Sequence, residues 1–317
     1  MKIQQIYERA IKKAVKEDPR SKAVFEKDLK KVKSEFKKLK GIYREIFDRE
    51  RLKNPYADSR ILFGDPKTEV KNVLVGIDID VQELLLAERL RDKGRDIDLV
   101  ISHHPSGKAY AQLDKVLTLQ PGIWEDLGFS EEIANGLMKG RMQEVARGIA
   151  PRNHTRAVDA ARLLGIPFMC LHTAADNCVA SYLTRVFKRQ KPKKLTNVIN
   201  ILNRIPEYKY AMTMGSGPHI LVGKDNSDAG KIFVDMTGGT SGPDRVLARL
   251  SHSGIKTIVG MHIKEPGFKA ARSEFLNYVI AGHIASDTLG MNLLLDAVDP
   301  GGTLNIIGCS GFKRHRR

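Results

Sequence analysis

The sequence predicts an α/β protein built mainly of parallel strand–helix units, with a helical hairpin in front of them. Three observations predict it. Short apolar, β-branched runs alternate with amphipathic helical stretches from residue 70 onward, the same alternation restarts after residue 230, and residues 1–53 carry helical periodicity without a strand. At 317 residues the chain has room for two lobes or one elaborated domain around a sizeable core.

Residues 3–17 place Ile3, Ile6, Tyr7, Ala10, Ile11, Ala14 and Val15 on one helical face, and Pro19 breaks the stripe. A second helix is expected from Phe25, Leu29, Val32, Phe36, Leu39, Tyr43 and Ile46, whose spacings of four and three form a heptad-like seam. Two short helices cannot satisfy that seam in isolation. Residues 1–53 therefore read as a structural or assembly arm, packed on the body or across a subunit boundary.

The stretch 54–66 has turn chemistry and ends the arm. Val70–Asp78 then reads as a strand, Val81–Lys93 as a helix closed by Gly94, and 97–102 as the next strand. A right-handed crossover makes the two strands parallel, which puts Asp78 to Asp80 on the same edge as His103 and His104. Those histidines follow the apolar run Leu99-Val-Ile-Ser102 and stop at Pro105, at the carboxyl end of a strand where open α/β sheets bind ligands. Adjacent histidines diverge from an extended backbone. They suit two different metal ions, or one ligand and one supporting group. Asp78 is placed either to orient such a histidine or to touch a metal itself.

Residues 106–150 read as helix and loop around Trp124, Arg156–Leu164 as a short helix, and Ile166–His172 as a strand running into His172-Thr-Ala-Ala-Asp176. The basic stretch Arg185–Lys194 divides the halves. Beyond it, Lys231–Asp235 is a strand, Gly238–Pro243 a glycine-rich turn, Asp244–Ser253 a helix, and Ile255–Gly260 a strand reaching Met261 and His262. Backbone N–H groups of such a turn can hold phosphate, but it lacks the Walker lysine and the dinucleotide spacing, which favours a tight connection. In Tyr278–Asp287 a strand runs through Gly282 into a helix that carries His283 and Asp287 four residues apart. Such a pair projects from one helix face and can reach one ion, or else Asp287 simply favours the helix N-terminus. Gly302–Gly308 reads as the last strand.

The formal charge of +16 is unevenly placed. Residues 1–53 hold 18 basic and 9 acidic side chains, Arg185–Lys194 holds 6 basic ones, 313–317 hold 4, and the rest of the chain is 25 basic against 28 acidic. The positive charge lives in an arm, a loop and a tail, where it suits nucleic acid or another polyanion less well than plain solvation. The first ten residues lack the apolar stretch of a signal peptide, and no run is long enough to cross a bilayer. With only Cys170, Cys178 and Cys309 there is no disulfide framework or Cys-rich zinc site, which fits a reducing cytoplasm. Any metal site must use histidine and carboxylate.

With His103-His104, His172-Thr-x-x-Asp176 and Gly282-His283-x-x-x-Asp287, the chain resembles the NGG-interacting factor three-like family, the GTP cyclohydrolase 1 type 2 homologues. Gly64-Asp-Pro-Lys-Thr-Glu-Val70, Val73-Leu-Val-Gly-Ile-Asp78 and Ile101-Ser-His-His-Pro105 extend the resemblance over 54–185 and 230–310, leaving the arm outside it. The resemblance implies two related lobes around a central metal cleft, two divalent ions per chain, and a homo-oligomer such as a hexameric ring. Carried over by motif, the metal ligands are His103, His104, Asp176, His283 and Asp287, with Asp176 and His104 also expected to carry catalysis. The family usually has Glu where Asp287 stands, and a Thr-Gly-Asp where this chain has Gly260-Met261-His262, so His262 is a candidate replacement ligand or substrate contact. The implied division is 1–53 arm, 54–185 first lobe, 186–229 basic linker and insertion, and 230–317 second lobe.

Three histidines and two carboxylates suit zinc, iron or manganese with positions left for water. Two ions about 3.5–4 Å apart lower the pKa of a bridging water and clamp attacking and leaving oxygens. The expected activity is therefore metal-dependent hydrolysis of a nucleotide or phosphoester. The alternative is a non-catalytic metal carrier or regulatory scaffold, for instance one serving cofactor biosynthesis.

Overall fold

The computed structural model describes residues 1–317. Nine strands form two sheets: β1 Ser59–Phe63, β2 Asn72–Gly76, β3 Leu99–Ser102, β4 Phe168–Leu171, β5 His219–Val222, β6 Lys231–Asp235, β7 Ile255–Gly260, β8 Asn277–Ile280 and β9 Asn305–Cys309. The first sheet has the order β1-β4-β3-β2-β9 and the second β5-β8-β7-β6. All pairings are parallel except β1 with β4 and β5 with β8. The α/β class with mainly parallel strands is as expected, and β2, β3 and β4 are buried as a doubly covered parallel sheet requires.

The two lobes share a plan in detail. Each has an antiparallel edge strand with a register shift, followed by a glycine at positive φ, Gly64 at +111° and Gly223 at +112°. In each, three parallel strands follow, and the last runs straight into a long helix, His172–Gln190 after β4 and His283–Val298 after β8. A helix also docks on each glycine loop through its first amides: Ile3 and Gln4 donate to Thr68 and Pro66, as Leu195 and Thr196 donate to Ser227 and Asp225. Isolated bridges Lys2–Glu69 and Lys194–Asp228 complete the match. The helix Ile3–Lys16 is thus the counterpart of Leu195–Leu202 and belongs to the first lobe.

The N-terminal helical hairpin is as expected, and its first helix packs on the body, one of the two placements expected for it. Ile3, Ile6, Tyr7, Ala10, Ile11 and Ala14 are buried in the same core as β2, β3 and the two long helices. The second helix, Lys22–Lys38, buries nothing, and the heptad-like seam is interrupted. Leu39 turns extended and Gly41 takes φ +52°, so Tyr43 and Ile46 lie on a separate short helical turn and its end, each 68% exposed. The stretch 54–66, expected as turn, contains β1, and 186–229, expected as linker, contains helices and β5. The lobes also trade a strand: β9, within the expected second lobe, pairs with β2 of the first sheet.

Where the lobes meet, the helices His172–Gln190 and His283–Val298 pack against each other. Gly290 permits the approach, because a Cβ there would stand 2.5 Å from the Ala175 carbonyl oxygen. Glu17, just past the first helix, ties it to the helix His172–Gln190: its carboxylate accepts from Lys13, Ser181 and Arg185. Burial would raise its pKa, but these donors outweigh it and hold the group at about 2. A carboxylate depressed in the folded state stabilises above its unfolded value of 4.5 and ceases to as pH falls toward 2. The thermal midpoint of wild-type protein is therefore expected to fall faster between pH 4.5 and 2 than that of Glu17→Gln, as followed by circular dichroism; parallel curves would refute the Glu17 tie.

Candidate metal centre

Register brings the first two ligand candidates to the sheet edge. β2 and β3 pair with Gly76 opposite Ser102, and the ladder continues: the amides of His103 and His104 donate to the carbonyls of Gly76 and Ile77, both at 2.9 Å. Both histidines are therefore held on fixed backbone at the carboxyl end of β3. The other candidates come from helix starts rather than strand ends. His172 and Asp176 open the helix after β4, and His283 and Asp287 open its counterpart after β8, each pair spaced i, i+4 on one face. Packing the two helices together presents both His-x-x-x-Asp pairs to the same place.

All five residues expected as ligands converge there, joined by His172. His103 Nε2 lies 3.1 Å from Asp176 Oδ1, and Asp287 Oδ2 lies 3.6 Å from His103 Nδ1 and 3.4 Å from both His104 Nε2 and His283 Nε2. Three overlapping sets can each hold a metal ion, their ligand atoms lying within 4.8 Å of one another: His103, His104 and His172; His104, His283 and Asp287; and His103, Asp176 and Asp287.

A structural packing of these groups would satisfy them, and it does not. His103 Nδ1 and both carboxylate oxygens of Asp287 are buried without a hydrogen-bond partner. Leaving a buried polar atom unpaired costs about 1–3 kcal/mol, more for a charge. A cation among these atoms supplies the missing partner, so the donor set fits a metal.

The surrounding residues orient the ligands. Asp78 Oδ1 lies 2.7 Å from His104 Nδ1, a hydrogen bond that leaves Nε2 facing Asp287. His172 Nδ1 donates to Asp58 Oδ2 at 2.8 Å, and Thr173 Oγ1 to the same oxygen at 2.7 Å. Asp58 is fully buried and was missed from the sequence, because it lies just before an edge strand concealed in the turn-like stretch 54–66. Burial would raise the Asp58 pKa, but the bond and charge of His172 together with the Thr173 hydroxyl and amide outweigh it and hold the carboxylate ionised. His262 does not join the three sets; its ring packs edge-on against His283, with centroids 4.9 Å apart.

Electrostatics separate the two adjacent histidines. Burial drives His103 well below the ordinary histidine range, which keeps its imidazole neutral and able to coordinate. Burial works against a charge on His104 too, but Asp287 and Asp78 outweigh it and raise that pKa to about 10. Burial lifts Asp176 to about 6. The cluster opens on a cleft of about 600 Å³, whose walls include Asp78, Asp235, His262 and the glycine turn after β6. That volume accommodates a small molecule.

The chain is similar to a solved NIF3 superfamily protein from Sphaerobacter thermophilus, with 27% identity over 80% of this chain and 91% of that one and a TM-score of 0.69. It is also similar to reduced HcgD from Methanocaldococcus jannaschii, at 15% identity over 78% of this chain and 87% of that one, with a TM-score of 0.48. No family model matches the chain, and no curated protein matches it.

Proposed function

The chain belongs to the NIF3 superfamily, and from that premise we propose that it is a dinuclear divalent-metal protein acting as a metal-dependent hydrolase on a nucleotide or phosphoester. One observation carries the reading: the buried, unpartnered ligand atoms of His103 and Asp287 stand in one cluster with His104, His172, Asp176 and His283, which with Asp287 line an open cleft rather than a closed structural site. His103, His104, Asp176, His283 and Asp287 would hold the metal, with His172 beside them. Bound there, divalent ions activate water and stabilise the charge that develops in hydrolysis.

The protein's own residues supply the rest. Asp78 and Asp58 fix the tautomers of His104 and His172, which keeps one ring nitrogen of each pointed into the cluster. Asp176, pushed to about 6 by burial, is a carboxylate of the cluster matched to holding or releasing a proton near neutral pH. The assembly is a homo-oligomer in this reading. No helix is long and apolar enough to cross a membrane.

Turnover is the test. Metal-loaded protein is expected to hydrolyse at least one member of a nucleotide and phosphoester panel with a dependence on added Mn²⁺, Zn²⁺ or Fe²⁺. Asp176→Asn should lower kcat by at least 10²-fold while its circular dichroism stays that of wild type. No turnover anywhere, together with transfer of metal to a chelating acceptor, would replace the hydrolase by a carrier.

A further inference from the structure

The glycine turn after β6 lines the same cleft as His104, His283 and Asp287. Gly238 and Gly239 follow one another at φ +101° and +85°, a conformation that residues with a Cβ rarely adopt. The turn's carbonyls are taken by the protein behind it. Buried Gln120 donates from Nε2 to the Gly238 and Thr240 oxygens at 3.1 and 2.6 Å, and Arg141 Nε donates to the Ser241 oxygen at 2.9 Å. Thr237 Oγ1 donates to Asn177 Oδ1 at 2.6 Å. The turn is thus clamped along its length, which a mere connection does not require.

Its amides are left over. The N–H groups of the five consecutive residues Gly238, Gly239, Thr240, Ser241 and Gly242 have no acceptor anywhere in the chain. Gly239, Thr240 and Ser241 line the cleft, where successive backbone N–H groups without a partner suit an anion. A second feature of the cleft is cationic: Arg152 lines it, is exposed, and makes neither an ion pair nor a side-chain hydrogen bond. The cleft's carboxylates oppose an anion less than their number suggests. Asp78 is bound to His104, Asp80 to Arg156 at 3.0 Å, Asp176 lies 3.1 Å from His103 Nε2, Asp287 stands among three imidazoles, and burial lifts Asp235 to about 6.

We infer that the amides of Gly239, Thr240 and Ser241 and the guanidinium of Arg152 form an anion subsite, which grips a phosphate group that the substrate keeps through the reaction. This deepens the hydrolase reading and rests on it. The substrate class becomes a small phosphorylated molecule, such as a nucleotide, with the bond to be hydrolysed away from that phosphate and toward the histidine cluster. The phosphate serves as a handle, and binding energy from it positions the reacting end.

Calorimetric titration of inorganic phosphate into the full chain, treated with chelator to remove metal, tests the subsite apart from the metal centre. Saturable binding at one phosphate per chain is expected, weakened at least tenfold in Arg152→Gln and in Gly239→Ala, with partial recovery in Arg152→Lys. Titrations with ribose 5-phosphate and GMP compare free phosphate with a phosphorylated ligand, and the handle requires tighter binding of at least one of them. Should Gly239→Ala fail to fold, Arg152→Gln decides alone. No saturable phosphate binding, or unchanged affinity in either folded variant, overturns the subsite. Metal content of the untreated samples is read separately: a chain that binds phosphate as described but takes up no metal keeps the subsite and loses the hydrolase.

Discussion

Asp287→Ala is expected to abolish the rise in thermal stability that divalent metal gives the wild-type chain. Asp287 is wholly buried, its two oxygens accept no hydrogen bond, and three imidazole nitrogens stand 3.4–3.6 Å from one of them. Without a cation, such a carboxylate costs free energy; with one, it is the carboxylate shared by two of the three metal-capable sets. A ligand present at a hundred times its Kd adds about 2.7 kcal/mol, which for a chain of this size raises the midpoint by on the order of 5 °C. The variant should show no such rise with added Zn²⁺ or Mn²⁺ in differential scanning fluorimetry. A metal-dependent rise as large as that of wild type would remove Asp287 from the ligand set.

Ile6→Ala is expected to destabilise the fold by about 2–5 kcal/mol, the usual cost of emptying a large aliphatic site in a core. Ile6 is fully buried on the helix that opens the first lobe, among residues shared with β2 and the central helices. Ile42→Ala, at a position 59% exposed beyond the second helix, should change stability by less than about 0.5 kcal/mol. Urea midpoints of the two variants compare them directly. Equal, small effects would return the helix Ile3–Lys16 to the status of a dispensable arm.

Much of the site was legible because metal chemistry restricts residue types and the strand–helix grammar restricts their place. His103 and His104 follow an apolar run ending at a proline, and His283 and Asp287 carry their helical spacing openly in the sequence. The partners that orient the histidines were less visible. Asp58 precedes β1, which the surrounding Asn54-Pro-Tyr and Gly64-Asp-Pro stretches disguise as turn, and β1 also contains Arg60, an arginine with no exposure at all. A buried guanidinium reads as surface in any hydropathy pattern. It is inside here because Asp48 pairs with it at 3.0 Å and the Tyr56 and Ser59 carbonyls accept from it.

The helical periodicity of residues 3–17 was also correct, while the surface it packs on was left open between the body and a neighbouring subunit. An amphipathic stripe specifies a face to be buried but not the surface that buries it. The counterpart helix Leu195–Leu202 shows that surface, since both helices dock on equivalent glycine loops. In the second helix, the spacing of four and three continued past the point where Gly41 turned the backbone. Spacing alone does not register such a break.

Elemental analysis of protein expressed with ample Zn²⁺, Mn²⁺ and Fe²⁺ tests whether the buried His and Asp cluster is a metal centre. The account predicts close to two divalent ions per wild-type chain and the loss of at least one from His103→Ala and from His104→Ala. A folded wild-type chain that carries no metal under those conditions would contradict it.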